Sequence, residues 1–223
     1  GAYQERQGGI EQAEKILTLR MAGTMERYVD GEKETLTVVL VRKRPDKVWL
    51  SLRQVEKGLG MFVVYNGEEG WRRMRRPGKD IVVPLGDEEM NRMDIEADFD
   101  WPHFILFEEN LKAEVTGEAV VNDREAWVLK AGYGQVGEVT LYMDKRQHTL
   151  LKAGYRAGWD EGQRFEDYFM DMHEVGGLFL PYRVESYIDG ERVSTTQWET
   201  AEINEGIFDS LFAKPAEYSA AGS

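Results

Sequence analysis

The 223-residue chain has no cysteine, which excludes disulfide staples and thiolate metal sites. It leaves the compartment open, because many exported bacterial proteins also lack cysteine. Histidine is scarce too: His103, His148 and His173 have no short mutual spacing, and no His-Glu-x-x-His pattern presents zinc ligands on one helix face. Asp167, Asp171 and His173 share strand parity, as solvated or edge-strand acids do more often than ligands, so no metal is expected. Positive charge is under-represented, with 28 Lys+Arg against 41 Asp+Glu and a net charge of −13. That balance argues against a nucleic-acid surface. No stretch reaches the roughly 20 apolar residues of a membrane-spanning helix, and local runs such as Met61 to Tyr65 have strand length. Also missing are a Gly-x-Ser-x-Gly elbow and a phosphate-cradling loop, while the Gly pairs at 8–9 and 176–177 lack the strand-to-helix context of a dinucleotide fingerprint. No cofactor is implied. The chain starts at Gly1-Ala2 without Met, as expected if Gly1 is a cloning remnant and an export signal has been removed.

What is present is period-two patterning. Gly8-Gly9 leads into Ile10, Ala13, Ile16 and Leu17, a helical spacing over about three turns. From residue 20 the period changes. Segments 20–29, 34–43, 47–55 and 60–65 read as strands, and so do 113–121, 125–131, 136–143, 149–157, 163–174, 178–189 and 192–203. Asp30-Gly31, Asn66-Gly67 and Asp189-Gly190 supply hairpin chemistry between such runs. In the strand from Leu178, the positions Leu178, Leu180, Tyr182, Val184 and Ile188 face one way and Arg183 and Glu185 the other. Segment 84–111 breaks the pattern with a helix carrying Met90, Met93 and Ala97, then the aromatics Phe99, Trp101, Phe104 and Phe107. No linker, low-complexity run or 20–50-residue repeat divides the chain. The expected organisation is a flexible leader 1–8, one body 9–215 and a frayed tail 216–223. An antiparallel, mainly β domain with helices (α+β) follows.

Catalytic chemistry finds little support. The acid pairs Glu68-Glu69 and Glu108-Glu109 fall in exposed turns, and could act as acid and base only if burial separated their pKa values. The protein is expected not to be an enzyme. Arg72, Arg73, Arg75 and Arg76 stand out in an acidic chain directly after Trp71. They suit docking to anionic head groups or an acidic partner, or, more commonly for such a run, a solvated hairpin that balances nearby acids. Nine Met and 11% aromatics suit either an ordinary core between sheet and helices or the adaptable lining of an apolar cavity.

Several stretches, taken in order, resemble the LolA-like outer-membrane lipoprotein carrier and sorting family. They are the short N-terminal helix before long strands, Lys43-Arg44-Pro45 at a strand end, and Tyr65-Asn66-Gly67-Glu68-Glu69-Gly70-Trp71, similar to a Tyr-x-Gly-x-x-x-Trp hairpin. Leu141-Tyr142-Met143-Asp144, the run from Tyr168 through Gly176-Gly177-Leu178-Phe179-Leu180-Pro181, and Asn204, Phe208, Phe212 and Pro215 continue the likeness over residues 9–215. The longer, more acidic strands after residue 160 depart from the compact carrier.

The resemblance implies a single open, strongly curved antiparallel half-barrel closed by a helical lid, whose concave face shields acyl chains. Arg44 would latch the lid through backbone carbonyls, a task suited to a guanidinium; it could also be a plain surface Arg. The implied lining comprises Leu36, Val38, Leu40, Trp49, Met61 and Val63 from the first strands. Met90, Met93, Trp101, Phe104 and Phe107 would add the cover, and Leu141, Met143, Met170 and Met172 the later strands. The function implied is that of a monomeric periplasmic carrier shuttling acyl chains of a lipoprotein or lipid toward the outer membrane. Its implied partners are an inner-membrane release complex and an outer-membrane acceptor. An envelope lipid-sensing or anchored lipid-binding module on the same fold is the alternative.

Overall fold

A computed structural model describes all residues except 1, 7, 30, 100, 103–105, 107–111, 135–136, 157–161 and 216–223. The described helices are α1 (Ala2–Arg6), α2 (Ile10–Glu14) and α3 (Asp87–Ala97), with short 3-10 turns at Val55–Lys57 and Asp209–Phe212. The first strands are β1 (Thr18–Val29), β2 (Glu32–Lys43), β3 (Lys47–Gln54), β4 (Leu59–Tyr65), β5 (Gly70–Arg76) and β6 (Lys79–Pro84). The later ones are β7 (Ala113–Val121), β8 (Arg124–Tyr133), β9 (Gly137–Asp144), β10 (Leu150–Arg156), β11 (Arg164–Val175), β12 (Leu178–Ile188) and β13 (Glu191–Ile203). Their ladder order is β6-β5-β4-β3-β2-β1-β13-β12-β11-β10-β9-β8-β7.

Each period-two segment of the sequence becomes a strand with ends within two residues of those expected. Two strands are additional. In β5 the Arg run hides the alternation of Trp71 and Met74, and β6 joins it through Pro77-Gly78, Gly78 having φ 72°. The N-terminal helix is shorter than its spacing suggests: α2 ends at Glu14, and Ile16 is buried while Leu17 is 58% exposed. Ala2–Arg6, within the expected leader, is helical.

The chain packs as two compact units. One comprises Ile16–Met25, Thr35–Trp101 and Glu199–Ser223; the other comprises Gly1–Lys15, Glu26–Glu34 and Pro102–Trp198. In the first unit the sheet β2 to β6 is covered on both faces. Register places Val38, Leu52, Met61, Met74 and Ile81 in one row, and Leu40, Leu50, Val63, Arg72 and Val83 in the next. Helix α3 packs on this face, where Met90 and Met93 meet Leu40, Val48, Tyr65 and Ala97. The opposite face carries Val41, Trp49, Val64 and Trp71, and the C-terminal turn lays Ile207, Leu211 and Phe212 against them. Burying an aromatic such as Phe212, 1% exposed, contributes about 1.5–3 kcal/mol.

In the second unit Val139, Leu141, Leu178 and Leu180 are buried at 2% exposure or less. Strand β12 keeps the expected alternation, since Val184 pairs with Phe169 while Arg183 and Glu185 pair with Met170 and Tyr168. The β11–β12 turn uses Gly176 and Gly177 at φ 58° and 86°, a conformation that strongly favours glycine. Gln12 Nε2 donates to the Gly176 carbonyl at 2.7 Å, tying α2 to that turn. At the β9–β10 turn, Asp144 is buried, pairs with Arg124 at 2.7 Å and accepts from the Arg146 amide at 2.8 Å and from the Gln147 amide. The terminal Asp of the Leu141–Asp144 motif is thus a turn-holding residue.

Candidate functional site

The first unit holds two candidate ligand surfaces. On the α3 face, Leu36 and Val38 are buried, at 5% and 1% exposure. Leu50, Leu52, Met61, Val63, Met74, Ile81 and Val83 remain partly exposed. The sequence-selected Leu36, Val38, Leu40, Met61 and Val63 therefore share one face, and Met90 and Met93 come onto it from α3. Leu50, Leu52, Met74, Ile81 and Val83 belong to the same surface. Sequence reasoning missed them, although carrying the parity of Leu36, Val38 and Leu40 across the hairpins would have found the β3 pair.

Polar contacts hold α3 in place. Tyr65 Oη donates to Asp94 Oδ1 at 3.1 Å and lies 3.2 Å from the Gly67 carbonyl. Burial, together with the Asp94 carboxylate, pushes the Tyr65 phenol up to about 12. Arg72 pairs with Glu89 of α3 at 2.5 Å. Gly70 leaves room for Leu85 and Met90, whose side-chain atoms would stand 2.6 and 2.9 Å from an added Cβ. The Asn66 side-chain oxygen accepts from the amides of Glu68 and Glu69 at 3.0 and 2.9 Å, shaping the turn before Trp71.

Two arginines reach backbone oxygens from β2 and the turn that follows it. Arg44 Nε donates to the Ile16 carbonyl at 2.9 Å, and its guanidinium lies 4.5 Å from the centroid of Phe99. Arg42, 9% exposed, donates to the Trp101 carbonyl at 2.7 Å and pairs with Glu96 of α3 at 3.1 Å. Arg42 was not foreseen from sequence. Its only signal was parity with Leu40, which puts a charge on the face that α3 covers.

Trp49 requires a correction. It pairs with Val41 and Val64, which places it on the opposite face from Leu40 and Val63. There it joins Val39, Val41, Ile207 and Leu211 around a cavity of about 400 Å³. Thr37, Ser51, Arg20 and Arg53 complete its wall.

The basic cluster also resolves differently from a single patch, because strand alternation divides it. Arg72 points to α3, whereas Arg73 and Arg75 lie on the other face and bind Asp80 at 2.6 and 3.3 Å. Arg76 is exposed. Trp101 is 3% exposed; Phe104 and Phe107 lie outside the described residues.

In the second unit Leu141 and Met143 are buried, at 0% and 5% exposure. Met170 sits at the parity of Glu166 and Tyr168, opposite to Phe165 and Phe169, and Met172 follows Asp171, whose φ is 53°. Leu141 pairs with Ala153, which pairs with Asp167, so Leu141 and Met170 lie on opposite faces. That second face holds a buried ion pair of Lys152 and Glu166, each 7% exposed, and Lys152 Nζ donates to Tyr168 Oη at 2.8 Å. Burial pushes the Lys152 ammonium down, but its bonds to Glu166 and Tyr168 outweigh this and leave its pKa above the ordinary value. His173 pairs with Asp171 at 2.8 Å and stacks on Tyr182, while Asp167 accepts from Ser186 at 2.6 Å. No group of three acids and histidines among the described residues could hold a metal ion. No described helix is long and apolar enough to cross a membrane.

No protein-family model matches the chain, and no curated protein matches it. Solved structures do. A DUF1329 family protein from Desulfovibrio piger has TM-score 0.61 at 13% identity, covering 95% of this chain and 94% of that one. An outer membrane lipoprotein-sorting protein domain from Vibrio parahaemolyticus has TM-score 0.62 at 12% identity over 95% and 94%. A LolA superfamily protein from Nitrosomonas europaea has TM-score 0.60 at 14% identity over 97% and 98%. The chain therefore has the LolA-like fold shared by these proteins.

Proposed function

We propose that this protein is a periplasmic carrier, without enzymatic activity, that shields acyl chains of a lipoprotein or lipid against the α3 face and hands them on toward the outer membrane. One observation carries this reading: α3 covers the end of the face near Val48 and Tyr65, while the aliphatic and Met side chains beyond it stay partly exposed. A surface of that composition gains about 0.8 kcal/mol for each CH₂ it takes from water. A single chain would be held firmly, so release needs a membrane-associated partner at each end of the route. The fold likeness to a lipoprotein-sorting domain agrees with this cargo.

In this account α3 is the movable cover, and Arg42 and Arg44 hold the segments around it. Both arginines bind backbone oxygens outside the helices, so they can let go without unwinding a helix. A fluorescent fatty acid titrated into the purified protein tests the proposal. Binding should weaken at least tenfold in Met61→Arg, which places a charge in the open part of the face. Arg44→Leu should change the rate of probe release while leaving the far-ultraviolet spectrum intact. Unchanged binding in Met61→Arg would overturn the site, and unchanged release in Arg44→Leu would remove Arg44 from the latch.

A further inference from the structure

We propose a second ligand site on the opposite face of the same sheet: the cavity under the C-terminal segment binds a single-chain anionic amphiphile of medium length. Its volume, about 400 Å³, falls within the roughly 300–1,000 Å³ of small-molecule pockets. What identifies the ligand class is a polarity gradient along two paired strands. Val41 pairs with Trp49, Val39 with Ser51 and Thr37 with Arg53. At the Val41–Trp49 end the wall is apolar and is roofed by Ile207 and Leu211. At the Thr37–Arg53 end it is polar and cationic.

The four residue steps from Val41 to Thr37 span about 13 Å, the extended length of an alkyl chain of about ten carbons. A tail laid along this track would put its head group beside Arg53. Arg20, also in the wall, is held by Glu202 at 2.7 Å. Arg53 makes no ion pair among the described residues, and its guanidinium lies 5.2 Å from the centroid of Phe62. Its planar fork is therefore available to bind a carboxylate through two parallel hydrogen bonds. A purely cationic head gains nothing from that end. In a chain of net charge −13, a locally cationic cavity mouth selects for an anion.

The site is independent of acyl binding on the α3 face, and the test separates the two. Decanoate and decyltrimethylammonium are titrated calorimetrically into the full chain carrying Met61→Arg, which disables the α3 face, alone and with Arg53→Glu or Val39→Trp added. Decanoate should bind the Met61→Arg protein, and the cationic analogue should bind it at least tenfold more weakly. Arg53→Glu, at an exposed position, should weaken decanoate at least tenfold. Val39→Trp, which fills the cavity, should abolish binding while the circular dichroism spectrum shows the fold retained. Decanoate binding that survives Met61→Arg is thereby separated from acyl binding on the α3 face. The proposal is overturned if decanoate does not bind, if Arg53→Glu has no effect, if both head groups bind alike, or if Met61→Arg removes the signal. Should Val39→Trp prove misfolded, the Arg53→Glu and Met61→Arg pair decides alone.

Discussion

Arg42 lies on the strand face that α3 covers, and Arg44, in the turn after β2, reaches the Ile16 carbonyl. Arg42 is buried against Trp101 and Glu96, whereas Arg44 is only partly buried, with its guanidinium over Phe99. Lys152 and Glu166 form a second buried charged contact, in the other unit. Removing one member of such a pair strands a charge and costs about 3–5 kcal/mol, while replacing both with apolar residues of similar size is often near neutral. Glu166 also pairs with Arg164 at 2.5 Å, so Lys152→Met alone should lower stability to urea by less than that amount, and Lys152→Met with Glu166→Met should recover most of the loss. If the double variant is no better than the single one, the pair is not coupled as the geometry indicates. A general acid or base would have suited a buried Lys–Glu–Tyr set. Here, however, Lys152 keeps its charge with its pKa raised, which fits an ion pair rather than proton transfer near neutral pH.

Among the elements, the C-terminal segment adds charged contacts to the apolar packing of Ile207, Leu211 and Phe212. Lys43 and Lys47 bind Asp209 at 3.1 and 2.9 Å, Lys43 also donates to the Ile207 carbonyl at 2.8 Å, and Lys214 binds Glu69 at 2.7 Å. Lys47 and then Lys43 hold the Asp209 carboxyl below its usual range. A carboxyl with a depressed folded-state pKa contributes stability that is present above the unfolded value of about 3.9 and is lost as pH falls through the folded value. Amide protection in residues 207–212, taken against the intrinsic exchange rate at each pH, should fall below pH about 4 before the β2–β3 ladder is affected, and Asp209→Asn should bring the lower protection to neutral pH. Equal protection at both pH values would contradict a charge-held clasp.

The element scale also shows what was legible in the sequence. Alternation fixed the long strands because side-chain parity is local. The hairpin β5–β6 was not legible, since Arg72, Arg73, Arg75 and Arg76 blur polarity on both faces; their partners Glu89 and Asp80 emerge only when α3 and β6 are in place. Trp49 was misassigned for a related reason: in a sheet covered on both sides, an apolar residue does not declare its face. Only the pairing of Val41 with Trp49 does so. The site fared similarly: β2 and β4 residues of the α3 face were readable, but the opposite cavity, built partly from Ile207 and Leu211, required tertiary contacts between residues far apart in sequence.

For the molecule as a whole, the likeness to solved LolA-like structures extends over 95–97% of the chain and concerns fold. Cargo is a question of surfaces. The α3 face carries partly exposed aliphatic and Met side chains beyond the helix, and a net charge of −13 favours solubility in a chain that exposes them. Acyl binding is the central claim, and native mass spectrometry of the protein purified from a bacterial envelope without detergent tests it most directly. The account predicts adducts with the masses of acyl lipids or acylated peptides, diminished in Met61→Arg. A spectrum of the bare chain alone, together with an organic extract free of lipid and no uptake of added fatty acid, would contradict it.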